Sequence, residues 1–134
     1  MHLPTNDPLG ELPGYMLRRA AQAMMAELGQ RLAPLDLRIS DASVLLLLGA
    51  GRALTSSEIG KMLDIQRANM VPLLNRLEGA RLIRREPIDR KSQAIVLTPA
   101  GEERLGAVRK VTAQFEDDLL QRIPAPHRPH LLPA

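Results

Sequence analysis

The stretch from residue 55 to residue 98, TSSEIGKMLDIQRANMVPLLNRLEGARLIRREPIDRKSQAIVLT, decides how this chain of 134 residues folds. Thr55 followed three residues later by Glu58 is a capping box, in which hydroxyl and carboxylate each satisfy a backbone N–H that a first helical turn leaves without a partner. It opens a helix. Gly60, Asp64 and Met70 follow at separations of four and six residues. Two helices that cross closely need a small residue at the contact, a turn residue tolerant of left-handed backbone, and an apolar anchor in the second helix. The three residues supply these in order, Asp being one of the few non-glycine residues that accept positive φ. Ile59, Met62, Leu63, Ile65, Leu74 and Leu77 provide the apolar inner faces of a helix–turn–helix.

Residues 81–98 make the reading more specific, since the helix–turn–helix spacing alone recurs by chance in many helical proteins. Arg81–Glu86 and Gln93–Leu97 are short β-prone runs, and Pro87-Ile88-Asp89-Arg90-Lys91-Ser92 joins them as a turn with two cations at its tip. A hairpin directly after the second helix is a wing. Thr98 then caps a long last helix with Pro99 at its first position, and Leu105, Val108, Val111, Phe115 and Leu119 form an apolar stripe along it at helical spacing.

The same stretch carries the chain's charge. Residues 55–92 hold eight Lys/Arg against five Asp/Glu, whereas residues 1–54 and 93–134 each hold five of either sign, so the net charge of +3 is confined to the middle. A basic stripe on a neutral frame is the electrostatic footprint of docking on phosphates.

Upstream, residues 1–11, with Pro4, Pro8 and Gly10, read as a flexible arm. From Pro13, Leu17, Ala20 or Ala21, Met24, Leu28 and Leu32 recur at helical spacing until Pro34 ends the helix. Ser40 is a candidate cap for a short buried helix around Val44–Leu48, closed by Gly49 and Gly51. The expected organisation is an arm (1–11), a helix (12–39), a winged helix–turn–helix region (40–98, its helix–turn–helix 55–80 and wing 81–98) and a long helix with a Pro-rich tail (99–134). The fold class is mostly α (α+β).

Composition narrows the functional classes. A length of 134 residues suits one domain. With no cysteine there is no disulfide, thiolate zinc site or thiol switch. No apolar run nears the roughly 18 residues that span a bilayer, and Met1–Gly10 lacks the features of a signal peptide, so the expected address is cytoplasmic. Tyr15 and Phe115 are the only aromatics, which disfavours single-strand binding by base stacking. His127 and His130 are separated by Pro129 and have no carboxylate pattern beside them, so no metal or cofactor is expected. No nucleophile, base and orienting partner can be assembled, so no enzyme is expected either.

Glu86-Pro87-Ile88-Asp89-Arg90-Lys91 followed by Val96-Leu97-Thr98-Pro99-Ala100-Gly101 resembles the wing and the start of the last long helix in the MarR family of winged helix–turn–helix transcriptional regulators. Asn75-Arg76-Leu77-Glu78 before Leu82-Ile83 is similar to the family's recognition-helix end and first wing strand. The resemblance covers about residues 12–120. It implies a homodimer with intertwined N- and C-terminal dimerisation helices, reading a pseudo-palindromic site in double-stranded DNA. It further implies a repressor released by a small apolar or aromatic effector, bound near Met24, Leu45, Leu48 and Val111. The apolar stripes on the first and last helices, which lack a partner near in sequence, point independently to a two-fold dimer.

Gln66, Arg67 and Asn69 stand at the start of the second helix, where Arg can pair with guanine and Asn or Gln with adenine in the major groove. Arg90 at the wing tip is suited to the minor groove and Lys91 to phosphate. Thr55, Ser57 and Arg76 are candidate phosphate ligands. Asp89 is expected to orient a neighbouring arginine rather than meet DNA. Two positions depart from the family. Pro72 replaces an expected polar or basic residue. With Gln66 as cap it lies past the first turn and should bend the helix; with Asn69 as cap it would fall among the unpartnered donors and fit without strain. The bent helix is expected. Asn75 replaces an acid that would bridge to the wing. Ile123–Ala134, with four prolines, departs as well, its closing helix short or incomplete. The alternative function is a winged-helix protein-interaction module without DNA binding, against which the cationic wing argues.

Overall fold

The computed structural model describes residues 7–134. The first six residues of the expected arm lie outside the described residues; Asp7–Leu12 form turns, with the Asp7 carboxylate accepting from the Leu9 N–H at 3.0 Å. Helix α1 (Pro13–Leu32) begins with the expected proline and runs into a single 3-10 turn, Ala33–Leu35. Next along the chain are α2 (Ile39–Leu48), β1 (Leu54–Thr55), α3 (Ser56–Leu63), α4 (Arg67–Gly79), β2 (Ile83–Pro87), β3 (Gln93–Leu97), α5 (Pro99–Arg122) and, after a 3-10 turn, the short α6 (Arg128–Leu131).

Helix α2 is the hub, apolar throughout its second half and in contact with α1, α3, α4, α5 and β3. Its Val44 and Leu45 are fully buried with Leu32, Ile59 and Val108, while Leu77, Ile83 and Ile95 close the core from the winged side. The cap of α2 is not Ser40, which lies within the helix. It is Arg38, whose N–H donates to Asp41 Oδ2 at 2.8 Å. The acid three positions into the helix, rather than the hydroxyl before the apolar run, marks the true start.

The helix–turn–helix forms where expected. Thr55 Oγ1 accepts from the Glu58 N–H, and Glu58 Oε1 accepts from the Thr55 N–H, both at 3.1 Å. Asp64 adopts φ 54°, ψ 47°, turning the chain after α3. Gly60 is buried, and a methyl group there would meet the Ile65 carbonyl oxygen at 3.1 Å and Met70 Cγ at 3.4 Å, so a larger residue at the crossing would require its neighbours to give by a few tenths of an ångström.

The sheet order is β1-β3-β2, both pairings antiparallel. Strand β1 was not expected: two residues carry no periodicity, and Leu54 is a strand only because it lies opposite Ile95. The first wing strand starts two residues later than the β-prone run, because Arg81 takes a left-handed conformation (φ 61°) that turns the chain out of α4. Thr98 locks this junction. Its N–H donates to the Leu82 carbonyl (3.1 Å), its hydroxyl donates to the Arg81 carbonyl (2.6 Å), and its Oγ1 accepts from the Gly101 N–H (2.9 Å).

Helices α1 and α5 are joined by an ionic network. Glu27 bridges Arg122 through both oxygens at 2.8 and 2.9 Å, and Arg31 links Glu27 (2.9 Å) with Asp118 (2.8 Å). Much of the apolar surface of α1 remains open: Leu12, Leu17 and Met25 are more than half exposed, as is Leu132 near the C-terminus. Among the described residues no helix is long and apolar enough to cross a membrane.

Candidate nucleic-acid interface

The N-terminal turns of α3 and α4 and the inner side of the wing enclose a half-open cleft of about 1090 Å³. Thr55, Ser57 and Lys61 line it from α3, Gln66, Arg67 and Val71 from α4, and Arg85, Asp89, Arg90 and Lys91 from the wing. Of the eight residues expected to meet DNA, six line this cleft, Thr55, Ser57, Gln66, Arg67, Arg90 and Lys91; Asn69 is exposed on the first turn of α4 but does not line it.

Local structure explains the presentation. The Gln66 backbone caps α4 while its side chain makes no capping bond, so the amide stays available. The side chains of Arg67, Asn69, Arg90, Lys91 and Lys61 are exposed, and among the described residues none has a hydrogen-bond or ion-pair partner. Exposed cations that form no ion pair within the chain can meet an external anion, although Glu58 lies within electrostatic reach of Lys61. Asp89 would oppose them, but it is otherwise engaged. Its Oδ1 accepts from the Lys91 and Ser92 N–H groups, both at 2.8 Å, and from the Ser92 hydroxyl at 3.0 Å. These bonds, the Lys91 amide first, hold its carboxyl below the usual range. Asp89 therefore shapes the wing turn, and the expectation that it orients an arginine is corrected: backbone amides two and three residues on lie closer than any guanidinium.

The eighth residue, Arg76, is differently placed. Its guanidinium donates through Nε (3.2 Å) and Nη2 (2.6 Å) to Oδ1 of Asp41, whose side chain is 3% exposed. The same carboxylate caps α2, so Arg76 ties α4 to the hub helix and its charge already has a partner. Asn75 keeps the wing tied to α4 despite the missing acid: its Oδ1 accepts from Arg85 Nη2 at 3.0 Å, and Glu78 supplies the ionic contact to Arg85 Nε at 3.4 Å without hydrogen-bond geometry. Pro72 lies inside α4, past the first turn as the Gln66 cap requires, and the helix continues through it to Gly79. Proline has no N–H, so the carbonyl four residues back, that of Ala68, has no helical donor.

Sequence reading missed Lys61, Val71 and Asp41. Lys61 was legible, four residues after Ser57 and therefore on the same helix face. Asp41 was a lone acid at the head of an apolar helix, but its partner is 35 residues away. Of the residues expected around an effector, Leu45 is fully buried and Leu48 nearly so, both on α2, while Met24 on α1 and Val111 on α5 are part-exposed. Leu48 also borders a cavity of about 610 Å³ shared with Arg52, Val96, Leu97, Leu105 and Arg109.

Helix α4 and the wing thus stand as two exposed elements on either side of one cleft. Comparisons with known proteins agree with this shape. The family model described as MarR family matches residues 35–92. A solved structure of a transcriptional repressor, CouR, bound to a 23-mer DNA duplex is 36% identical, covering 98% of this chain and 94% of that one, with a TM-score of 0.86. CouR bound to p-coumaroyl-CoA is similar at 33% identity, covering 98% and 93%, with a TM-score of 0.84. The MepR–DNA complex of S. aureus shares the fold at 24% identity, covering 89% of each chain, with a TM-score of 0.81. No curated protein matches the chain.

Proposed function

The chain belongs to the MarR family of transcriptional regulators, and on that premise we propose that it is a ligand-responsive repressor that binds double-stranded DNA as a homodimer. As a transcriptional regulator it is not an enzyme. The observation that carries the proposal is the cleft, where Lys61, Arg67, Arg90 and Lys91 stand exposed between a helix and a wing and form no ion pair among the described residues. Helix α4 enters the major groove and reads bases through Gln66, Arg67 and Asn69. Arg90 enters the flanking minor groove, while Thr55, Ser57, Lys61 and Lys91 hold the phosphates between. Thr55 can do so while capping, because its oxygen accepts the Glu58 amide and its hydrogen remains to be donated. Arg76 acts at one remove, holding the recognition helix in place.

The homodimer is supported by the apolar residues left open on α1 and near the C-terminus, Leu12, Leu17, Met25 and Leu132, which a two-fold partner would cover. Two copies present two recognition helices, so the operator is a pseudo-palindrome with half-sites about one helical turn apart. The likeness to a repressor bound to p-coumaroyl-CoA supports an aromatic acyl thioester as the effector, seated on the α1–α2–α5 seam near Met24, Leu45, Leu48 and Val111. A regulator of this kind works in the cytoplasm, beside the DNA it binds.

Selection from randomised duplex DNA at several salt concentrations tests the proposal. Enrichment of a pseudo-palindrome, with affinity falling steeply as salt rises, is expected, and p-coumaroyl-CoA should release the selected duplex. A folded chain that enriches no sequence would refute DNA reading and favour a winged-helix protein-interaction module instead.

A further inference from the structure

We propose that Val71 is a specificity-determining residue that reads the 5-methyl group of a thymine in the major groove; this rests on the chain being a DNA-reading repressor. Val71 is 57% exposed on α4. It stands four residues after Arg67, one turn on along the same face, and both line the cleft. A single exposed apolar residue is ordinary on a protein surface, so its position carries the argument. The other exposed residues that α3 and α4 contribute to the cleft are polar: Ser57, Lys61 and Arg67.

Neither the core nor the helix calls for a valine here. Met70, Leu73, Leu74 and Leu77 already form the buried side of α4, and a β-branched residue is a weaker helix former than Ala, Lys or Glu. What valine supplies is a pair of methyls held by a stiff χ1. The thymine 5-methyl is the apolar group that base edges display in the major groove. An apolar side chain one helical turn beyond an arginine is therefore matched to it. Four residues advance about 6 Å along a helix axis, so the thymine falls within roughly two base pairs, at 3.4 Å per step, of the base that Arg67 contacts.

The test replaces each thymine of the selected duplex, one at a time, by deoxyuridine, which pairs identically and lacks only the methyl. One thymine per half-site, within about two base pairs of the position whose preference Arg67→Ala relaxes, should lose about fourfold in affinity when substituted. That factor is the burial of one methyl, about 0.8 kcal/mol, at 1.4 kcal/mol per tenfold. Val71→Ala, a surface change, should bind the thymine duplex about fourfold more weakly per half-site and be indifferent to uracil at that position. A duplex with no methyl-sensitive thymine near the Arg67 base pair overturns the assignment from the parent protein alone. So does a Val71→Ala protein as sensitive to uracil as its parent. Failure to enrich any duplex would sink the repressor reading itself, a different outcome from an enriched duplex that ignores the methyl.

Discussion

Arg76→Ala should make the chain unfold more readily while leaving the salt dependence of DNA binding unchanged. The Arg76 guanidinium gives two hydrogen bonds to Asp41 Oδ1, at 3.2 and 2.6 Å. Asp41 is 3% exposed and Arg76 36%. Without the arginine, the carboxylate keeps the Arg38 N–H at 2.8 Å as its hydrogen-bond partner. Stripping a buried charge of its partner costs about 3–5 kcal/mol. Because about a third of the Arg76 side chain already meets water, part of the attraction is screened, and about 2–3 kcal/mol is the expected loss. For a domain of this size that lowers Tm by roughly 6–12 °C. Melting must be followed at fixed protein concentration, since association would itself shift Tm. In parallel, affinity for the selected duplex is measured between about 50 and 200 mM salt. If Arg76 served as a phosphate ligand, its loss would reduce the log–log salt slope by about one per site and leave Tm almost unmoved. That pair of results would refute the structural reasoning.

Arg90→Ala should weaken binding to every duplex and reduce the salt slope by about one per wing, whereas Arg67→Ala should relax preference at one base position per half-site; a competition series against single-base variants separates the two. Gly101→Ala should destabilise by about 1–3 kcal/mol in a denaturant melt, because a methyl there overlaps the Leu82 carbonyl oxygen, which already accepts the Thr98 N–H. An unchanged midpoint would mean that the strand end retreats freely. The α1–α5 network should respond to acid. Arg122 and then Arg31 hold the Glu27 carboxyl below its ordinary 4.5, and Gln114 with Arg31 holds Asp118 below 3.8. Both pKa values are lower in the folded chain, so their contribution is full above those ordinary values and is lost as pH falls through the depressed ones. Glu27→Gln should therefore lower Tm at pH 7 and narrow the gap to the parent as the solution is acidified below about 4; a gap constant with pH would count against the network.

The features that were legible in advance are those whose cause lies within a few residues. The Thr55–Glu58 box, the left-handed Asp64, the Pro13 and Pro99 helix starts and the Thr98 cap depend on backbone groups at most four positions away, and each forms as its residues require. The cationic wing was likewise readable, because charge is a property of the residues themselves. Errors came where two local solutions competed. Ser40 and Asp41 could both serve the start of α2, and Asp41 prevails because its carboxylate, reaching back to the Arg38 amide, also meets Arg76. Asp89 could pair with an arginine or bond its own turn, and the nearer amides take it.

Sequence alone therefore determined the order of the elements, the helix–turn–helix, the wing, and the cluster of charge suited to a phosphate backbone. Tertiary structure decided which of those charges remain available. Arg76 and Arg85 look no different along the chain from Arg67 and Arg90, yet the first two are engaged by Asp41, Asn75 and Glu78 while the others meet solvent. It also decided that Leu54 is a strand, that Val71 faces the cleft, and that much of α1 keeps an uncovered apolar side. The physical reason is common to all of these. A cap or a turn is settled by bonds between near neighbours, but whether a side chain is paired, buried or offered to a partner depends on residues brought alongside from tens of positions away.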